Sequence, residues 1–113
     1  MAPNPQFKKW CFTINNPVDG DNPANVFTAE LREKIRYAVW QKEIGENGTP
    51  HYQGFVLWKS RGRRLQGMKE LFPRAHLEVA KGRCQDNRKY CTKEDGRIEG
   101  PYWIIGDYNS YWD

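Results

Sequence analysis

Little in this sequence could cross-link or anchor the chain. Its three cysteines, Cys11, Cys84 and Cys91, are odd in number and form no CxxC. Neither a disulfide framework nor a zinc finger is expected, and free thiols fit a reducing compartment. No apolar run approaches the ~20 residues of a membrane span. The opening MAPNPQFKKW has no apolar signal-peptide core. A cytosolic or nuclear protein is expected. Repeats, long linkers and low-complexity tracts are also missing.

Aromatic residues, by contrast, are abundant, and charge is unevenly placed. Aromatics make up 14% of the 113 residues, with five Trp and six Tyr. A chain of this length builds one modest core, and large rings fill such a core well. The same rings could instead form a stacking surface for bases. The formal net charge of +4 conceals an asymmetry. Lys59 to Lys93 holds eleven Lys and Arg against three acids, Glu70, Glu78 and Asp86, whereas the rest holds seven bases and eleven acids. Such a basic block is the footprint of a polyanion partner, although a solvated face has the same composition.

Lys8 to Asn15 alternates, with Trp10, Phe12 and Ile14 on one side and Cys11, Thr13 and Asn15 on the other, so a strand is predicted. Asn16-Pro17 ends it, and VDGDNPAN reads as loop. Thr28 is the expected N-cap of a short helix ending near Arg36, with Leu31 and Ile35 on one face. Tyr37–Glu43 and His51–Lys59 are predicted strands, joined through the Gly45–Pro50 turn as an antiparallel hairpin. A basic loop, Ser60 to Arg64, leads to a helix near Leu65–Phe72. Ala75–Lys81 is a fourth strand, and a third helix is predicted from Cys84 to Lys93. Residues 1–6 read as a loose leader, and beyond Gly96 only Tyr102–Ile105 suggests a strand or an apolar clasp. The order β-α-β-β-α-β followed by a helix describes one α+β domain with an antiparallel sheet, RRM-like or ferredoxin-like. That fold hosts many functions and decides none.

Three clusters carry possible chemistry. His51 and Gln53 are two apart on a strand and leave the same face, where an imidazole nitrogen and an amide oxygen can meet one ion. Glu43, at the end of the neighbouring strand, could add a carboxylate, with Glu46 as its rival. One nitrogen and two oxygens suit Mg²⁺ or Mn²⁺ better than zinc or copper. Tyr90 and Lys93 are three apart, neighbours on one face if the helix runs through both. A phenol, with a pKa of about 10, is a poor nucleophile at neutral pH. A nearby ammonium favours the phenolate and steadies a phosphate. Thr13 and Asn15 share a face and could donate to phosphate or bases. Each cluster alone is equally well a structural feature, and a non-catalytic single-stranded nucleic-acid-binding domain on an RRM-like sheet would explain the charge and the aromatics.

Their combination and order are more specific. FTINNP at Phe12–Pro17, HYQGF at His51–Phe55 and Tyr90-Cys91-Thr92-Lys93 resemble the three motifs of replication initiator (Rep) nuclease domains. Such domains occur in circoviruses and related small circular single-stranded DNA viruses, and they belong to the broader His-hydrophobic-His (HUH) endonuclease family. Gln53 stands where most of that family has a second histidine, as in circoviruses. The flanking GTPHYQGF and HLEVAKG are similar too, so the resemblance runs from Lys8 to Glu94.

The resemblance implies a five-stranded antiparallel sheet with a metal, Mn²⁺ or Mg²⁺, held by Glu43, His51 and Gln53. It implies Tyr90 as nucleophile and Lys93 as its support. The partner would be single-stranded DNA at a stem-loop replication origin, nicked through a 5′-phosphotyrosine link in the host nucleus. Thr13, Asn15, Arg61, Arg63, Arg64, Lys81, Arg83 and Arg88 are candidate DNA contacts, and the segment containing His76 would help hold the strand. His76 and Glu78 also share a strand face and are a candidate second metal site. Full-length relatives would carry a helicase domain. No GxxxxGK[ST] occurs here, so this chain is expected to nick and join without unwinding.

Overall fold

The computed structural model describes residues 5–105. Its five strands are β1 (Lys9–Asn15), β2 (Ile35–Ile44), β3 (Pro50–Trp58), β4 (His76–Val79) and β5 (Arg97–Ile105). They form one antiparallel sheet in the order β4-β1-β3-β2-β5. The helices are α1 (Pro23–Val26), α2 (Ala29–Arg32), α3 (Leu65–Leu71) and α4 (Cys84–Cys91). The α+β architecture is the one expected, and the hairpin of β2 and β3 pairs Ile44 with Pro50 across the turn.

Strand alternation divides the side chains between two layers. One face carries Trp10, Phe12 and Ile14 of β1, Ala38 and Trp40 of β2, and Val56 and Trp58 of β3. Phe27, Met68 and Phe72 close over them. The Phe12 and Phe72 rings stack at 4.7 Å, and Phe27 meets Phe72 edge-on at 5.4 Å. Most of the aromatic content is therefore core. The opposite face carries Tyr37 and Val39 of β2 with Phe55 and Leu57 of β3, covered by Cys84 and Cys91 of α4. Those two cysteines lie seven apart, two helical turns, and are the only buried residues of a helix that is otherwise polar.

Several boundaries differ from expectation. VDGDNPAN is not all loop: a 3-10 turn at Asp19–Asp21 leads into α1, with Pro23 at its first position and Asn22 accepting from the Ala24 amide at 3.0 Å. Thr28 caps α2 as predicted, through the Leu31 amide at 3.3 Å, but the helix ends at Arg32 and not near Arg36. Ile35 belongs to β2 opposite Trp58, and an irregularity between Ile35 and Tyr37 resets the alternation. Helix α4 stops at Cys91, short of Lys93, and β4 is confined to His76–Val79. Beyond Gly96 the expected strand is longer than Tyr102–Ile105, beginning at Arg97. Of the loose leader, residues 1–4 lie outside the described residues, while Pro5 and Gln6 are exposed and in no element.

Gly54 sits mid-strand, where glycine ordinarily weakens a sheet. It pairs with Phe12, and a Cβ at this position would overlap the Phe12 ring. The glycine therefore lets that ring lie flat on the backbone in reach of Phe72. Gly54→Ala should destabilise the fold by about 1–3 kcal/mol, the usual cost of overpacking, read as a lower urea midpoint. An unchanged midpoint would show that the Phe12 ring can shift freely.

Candidate active site

The layer beneath α4 becomes polar at one end of the sheet. Register builds two rows of side chains across the strands. In the first, Asn15 of β1 faces His51 of β3, which faces Glu43 of β2, which faces Arg97 of β5. In the second, His76 of β4 faces Thr13, then Gln53, then Gln41. Residues two apart on one strand share a face, so the rows lie side by side.

Glu43 is the centre of the arrangement. Its side chain is only 5% exposed, and three polar side chains meet it. Gln41 Nε2 donates to Oε2 at 2.7 Å, Lys93 Nζ donates to Oε1 at 2.6 Å, and His51 Nε2 lies 3.2 Å from Oε1. Glu46 is exposed in the turn, so the carboxylate brought to His51 is that of Glu43.

The tautomer of His51 bears on metal binding. The Thr49 carbonyl, 3.2 Å from Nδ1, can only accept, so it selects the Nδ1–H form. In neutral imidazole, Nε2 then carries a lone pair facing a carboxylate oxygen. Two such lone pairs converge favourably only around a proton or a cation. In the neighbouring row, Gln53 Oε1 accepts from Thr13 Oγ1 at 3.3 Å and keeps a second lone pair. Among the described residues no three His, Cys, Asp or Glu side chains gather, so a metal here would need a donor of another kind, for which the Gln53 amide oxygen is available. This nitrogen, carboxylate and amide set fits a hard divalent cation such as Mg²⁺ or Mn²⁺. His76 and Glu78 bond each other at 2.8 Å on the exposed side of β4, and among the described residues no group of three such side chains that could hold a metal forms around them.

A cleft of about 300 Å³ adjoins the second row. Cys11, Thr13 and Gln53 line its base, His76, Glu78 and residues 79–81 one side and Asn87 and Tyr90 of α4 the other. Tyr90 is 55% exposed, an open position for a large ring. Lys93 Nζ lies 4.6 Å from the centre of the Tyr90 ring while bonded to Glu43. The expected closeness of Tyr90 and Lys93 holds, but its cause is not a shared helix face, because Lys93 follows the helix end. The chain after α4 is instead pinned to β2: Gln41 Nε2 donates to the Lys93 carbonyl at 2.8 Å, and the Ile44 amide to Gly96 at 2.8 Å. Arg97 also donates to the Thr92 carbonyl at 3.2 Å.

Other residues could not be singled out from sequence. Gln41 is fully buried and ties Glu43 to Lys93, yet a glutamine within a strand carries no signal. Arg74 pairs with the buried Asp21 and reaches the carbonyls of Asn15 and Asn16 at 3.4 Å. Asn16 adopts φ 48° and donates to Pro50 at 2.8 Å, holding the end of β1 against the start of β3. Asn87 accepts from the Cys11 thiol at 3.2 Å and donates to the carbonyls of Lys81 and Arg83, fastening α4 to the β4 side.

The candidate DNA contacts are dispersed. Thr13, His76 and Lys81 line the cleft, Asn15 stands beside His51, and Arg83 is exposed at the start of α4. Arg88 lies over the Trp103 ring at 5.5 Å, on the β5 side. The Arg63 guanidinium stacks on Trp58 at 5.1 Å in the opposite layer, and its backbone bridges to Phe7. Arg61 and Arg64 flank it in the loop after β3, at the end of that strand remote from His51. The basic block is therefore not one surface.

The family described as "Putative viral replication protein" matches residues 7–94. The chain is 46% identical over 99 residues to the master replication protein of subterranean clover stunt virus (strain F), covering 88% of this chain and 31% of that protein. It is 48% identical over 87 residues to the replication-associated protein of pigeon circovirus, covering 77% and 26%. Likewise, it is 48% identical over 88 residues to that of beak and feather disease virus, covering 77% and 29%. The chain thus spans under a third of the length of these relatives.

The thiols around the cleft give a pH-dependent readout of this packing. Burial, with a smaller contribution from Glu78, pushes Cys11 up to about 11. Burial also raises Cys91, helped by Cys11 and Glu43 and opposed by Lys93 and a hydrogen bond from Gln53. A raised thiol stabilises the fold below its unfolded value of 9.0, and that contribution fades as pH climbs from there toward 11. Iodoacetamide labelling of Cys11 should be slow at pH 8 and keep rising past pH 9 without levelling. Fast labelling at pH 8, located by peptide mass, would contradict the packed arrangement.

Proposed function

The chain belongs to the viral replication protein family, and we propose that it is the DNA-nicking and joining domain of a rolling-circle replication initiator. The observation that carries this reading is the exposed Tyr90 beside a cleft based on Thr13 and Gln53, with Lys93 linking the tyrosine ring to Glu43.

In this reading a single strand from a stem-loop origin lies in the cleft. The Tyr90 hydroxyl oxygen attacks phosphorus in line. A Tyr90–phosphorus bond forms, the bond to the 3′ oxygen breaks, and the phenol proton is balanced by the proton gained on the released 3′-OH. The 5′-phosphotyrosine link keeps the energy of the phosphodiester, so a 3′-OH can reverse the step and rejoin DNA. Lys93 is fixed in place by Glu43, and its charge offsets negative charge gathering at the tyrosine and phosphate. Thr13 and Asn15 would donate to the strand, and His76 and Lys81 would hold it from the β4 side. Glu43, His51 and Gln53 would hold Mn²⁺ or Mg²⁺, which when bound supplies Lewis-acid polarisation of the scissile phosphate. The whole protein would add a helicase domain, consistent with the short span of this chain on its relatives, and would work in the host nucleus.

The decisive assay is incubation with a stem-loop oligonucleotide and Mn²⁺, followed by a denaturing gel. Wild type should give a covalent adduct, and Tyr90→Phe should give none while still binding the oligonucleotide. An adduct with Tyr90→Phe would move the chemistry to another residue. Excess chelator should stop cleavage and added Mg²⁺ or Mn²⁺ restore it, with full activity in chelator ruling out the metal.

Lys93→Ala should slow single-turnover cleavage at saturating protein by roughly 10²–10³-fold, the range for removing one positioned charge donor. Affinity for DNA should change far less. A rate within about twofold of wild type, worth ~0.4 kcal/mol in barrier, would reduce Lys93 to a structural tie.

A further inference from the structure

A second cavity, about 400 Å³, opens at the other end of β3, away from His51. Glu33, Lys34, Trp58, Lys59, Ser60 and Arg63 line it. Trp58 is almost wholly buried, yet its Nε1–H has no acceptor among the described residues. The Nε–H of Arg63 is buried and also without an acceptor, although Arg63 Nη2 donates to Gly67 at 3.2 Å. Buried donors ordinarily find partners, and these two lie closed to solvent beneath the lining of one cavity, where the Arg63 guanidinium covers the Trp58 ring at 5.1 Å.

The cavity is also built with some strain. Arg63 is fixed by paired backbone bonds with Phe7, both at 2.9 Å. Ser60 adopts φ 56°, a left-handed conformation uncommon for serine. At Gly62, φ is 81° and a Cβ would collide with the Phe7 carbonyl. Burial works against the charge on Arg63, with only Glu70 opposing that effect. Lys34 and Lys59 are exposed at the rim, and one acid, Glu33, stands against these three bases. A pocket with unmet donors and a positive rim lacks acceptors and negative charge.

We propose that this cavity binds a phosphate group, with Lys34 and Lys59 as its rim and with Arg63 turning outward from the Trp58 ring so that its guanidinium and the indole N–H meet the ligand. A phosphate supplies several acceptor oxygens and the missing charge, and guanidinium binds it well. The group could belong to free phosphate or to the DNA backbone. In the second case the site would hold DNA away from the nicking cleft, on the opposite layer of the sheet. The site uses no residue of the nicking reading and stands or falls without it.

The Trp58 indole N–H cross-peak of the ¹⁵N-labelled chain, assigned by its loss in Trp58→Phe, reports on the cavity directly. At constant ionic strength, inorganic phosphate should shift this peak saturably. The Lys34→Gln/Lys59→Gln double variant changes only exposed side chains and should weaken the response roughly tenfold or more, as expected for lost charge-assisted bonds. Arg63→Gln should abolish it, and the double variant provides the test if Arg63→Gln does not fold. A stem duplex moving the same peak would identify the DNA backbone as the source. A response to inorganic phosphate alone would make it a free phosphate site. No saturable shift with either probe, or an equal shift in the double variant, would overturn the proposal.

Discussion

A buried carboxylate organises this molecule's chemistry. Removed from water, Glu43 is tolerable only with its oxygens satisfied, and its partners come from three places: Gln41 on its own strand, His51 on the next, and Lys93 beyond the end of α4. Meeting that need draws the last turn of α4 and the segment after it onto the end of β2. The closeness of Tyr90 to the His51 row follows from it. Removing the carboxylate would leave Gln41 with one of its bonds lost and Lys93 with no anchor over the tyrosine.

The sheet separates structural from chemical work. Aromatic rings crowd one face, where Phe12, Phe27, Phe72, Trp40 and Trp58 interlock. That face fixes strand register, and register sets the polar rows on the other face. Gly54 shows the dependence at a single residue: its bare backbone seats Phe12 on one side of the sheet while neighbouring Gln53 faces the cleft on the other. A side-chain error on the aromatic face would therefore reach the polar face through register, without any direct contact.

Alternation in Trp10 to Asn15 and in His51 to Trp58 was legible because strands print their geometry at period two, and the hairpin followed from its turn. Placing Glu43 beside His51 needed only the hairpin register. Short elements were legible only in part: Thr28 marked the start of α2, but α1 and α2 have four residues each, too few to express a helical period. Ile35 satisfied both a helical spacing from Leu31 and the start of a strand, and packing opposite Trp58 decided between them. Lys93 reached its expected neighbour by an unexpected route, since a tie to Gln41 across fifty-two positions has no sequence signature. Arg63 reads as a surface charge in sequence, yet it stacks on Trp58 because the bridge to Phe7 turns the loop inward. The wider resemblance was carried by ordered motifs, and the family match over residues 7–94 agrees with it.

Helix α4 has a mechanical consequence. Only Cys84 and Cys91 enter the core from it, and Asn87 fastens one flank through hydrogen bonds. Lifting the helix would also uncover Tyr37, Val39, Phe55 and Leu57 beneath it, so two small sulfur side chains close an apolar area much larger than their own. Opening here is costly for that reason, even though the sheet's own ladders would stay intact. Tyr90 thus rides on a helix seated over the rings of β2 and β3, while Glu43, His51 and Gln53 stand on those two strands themselves. A pull on the tyrosine would be carried into the middle of the sheet through two thiols and the rings beneath them.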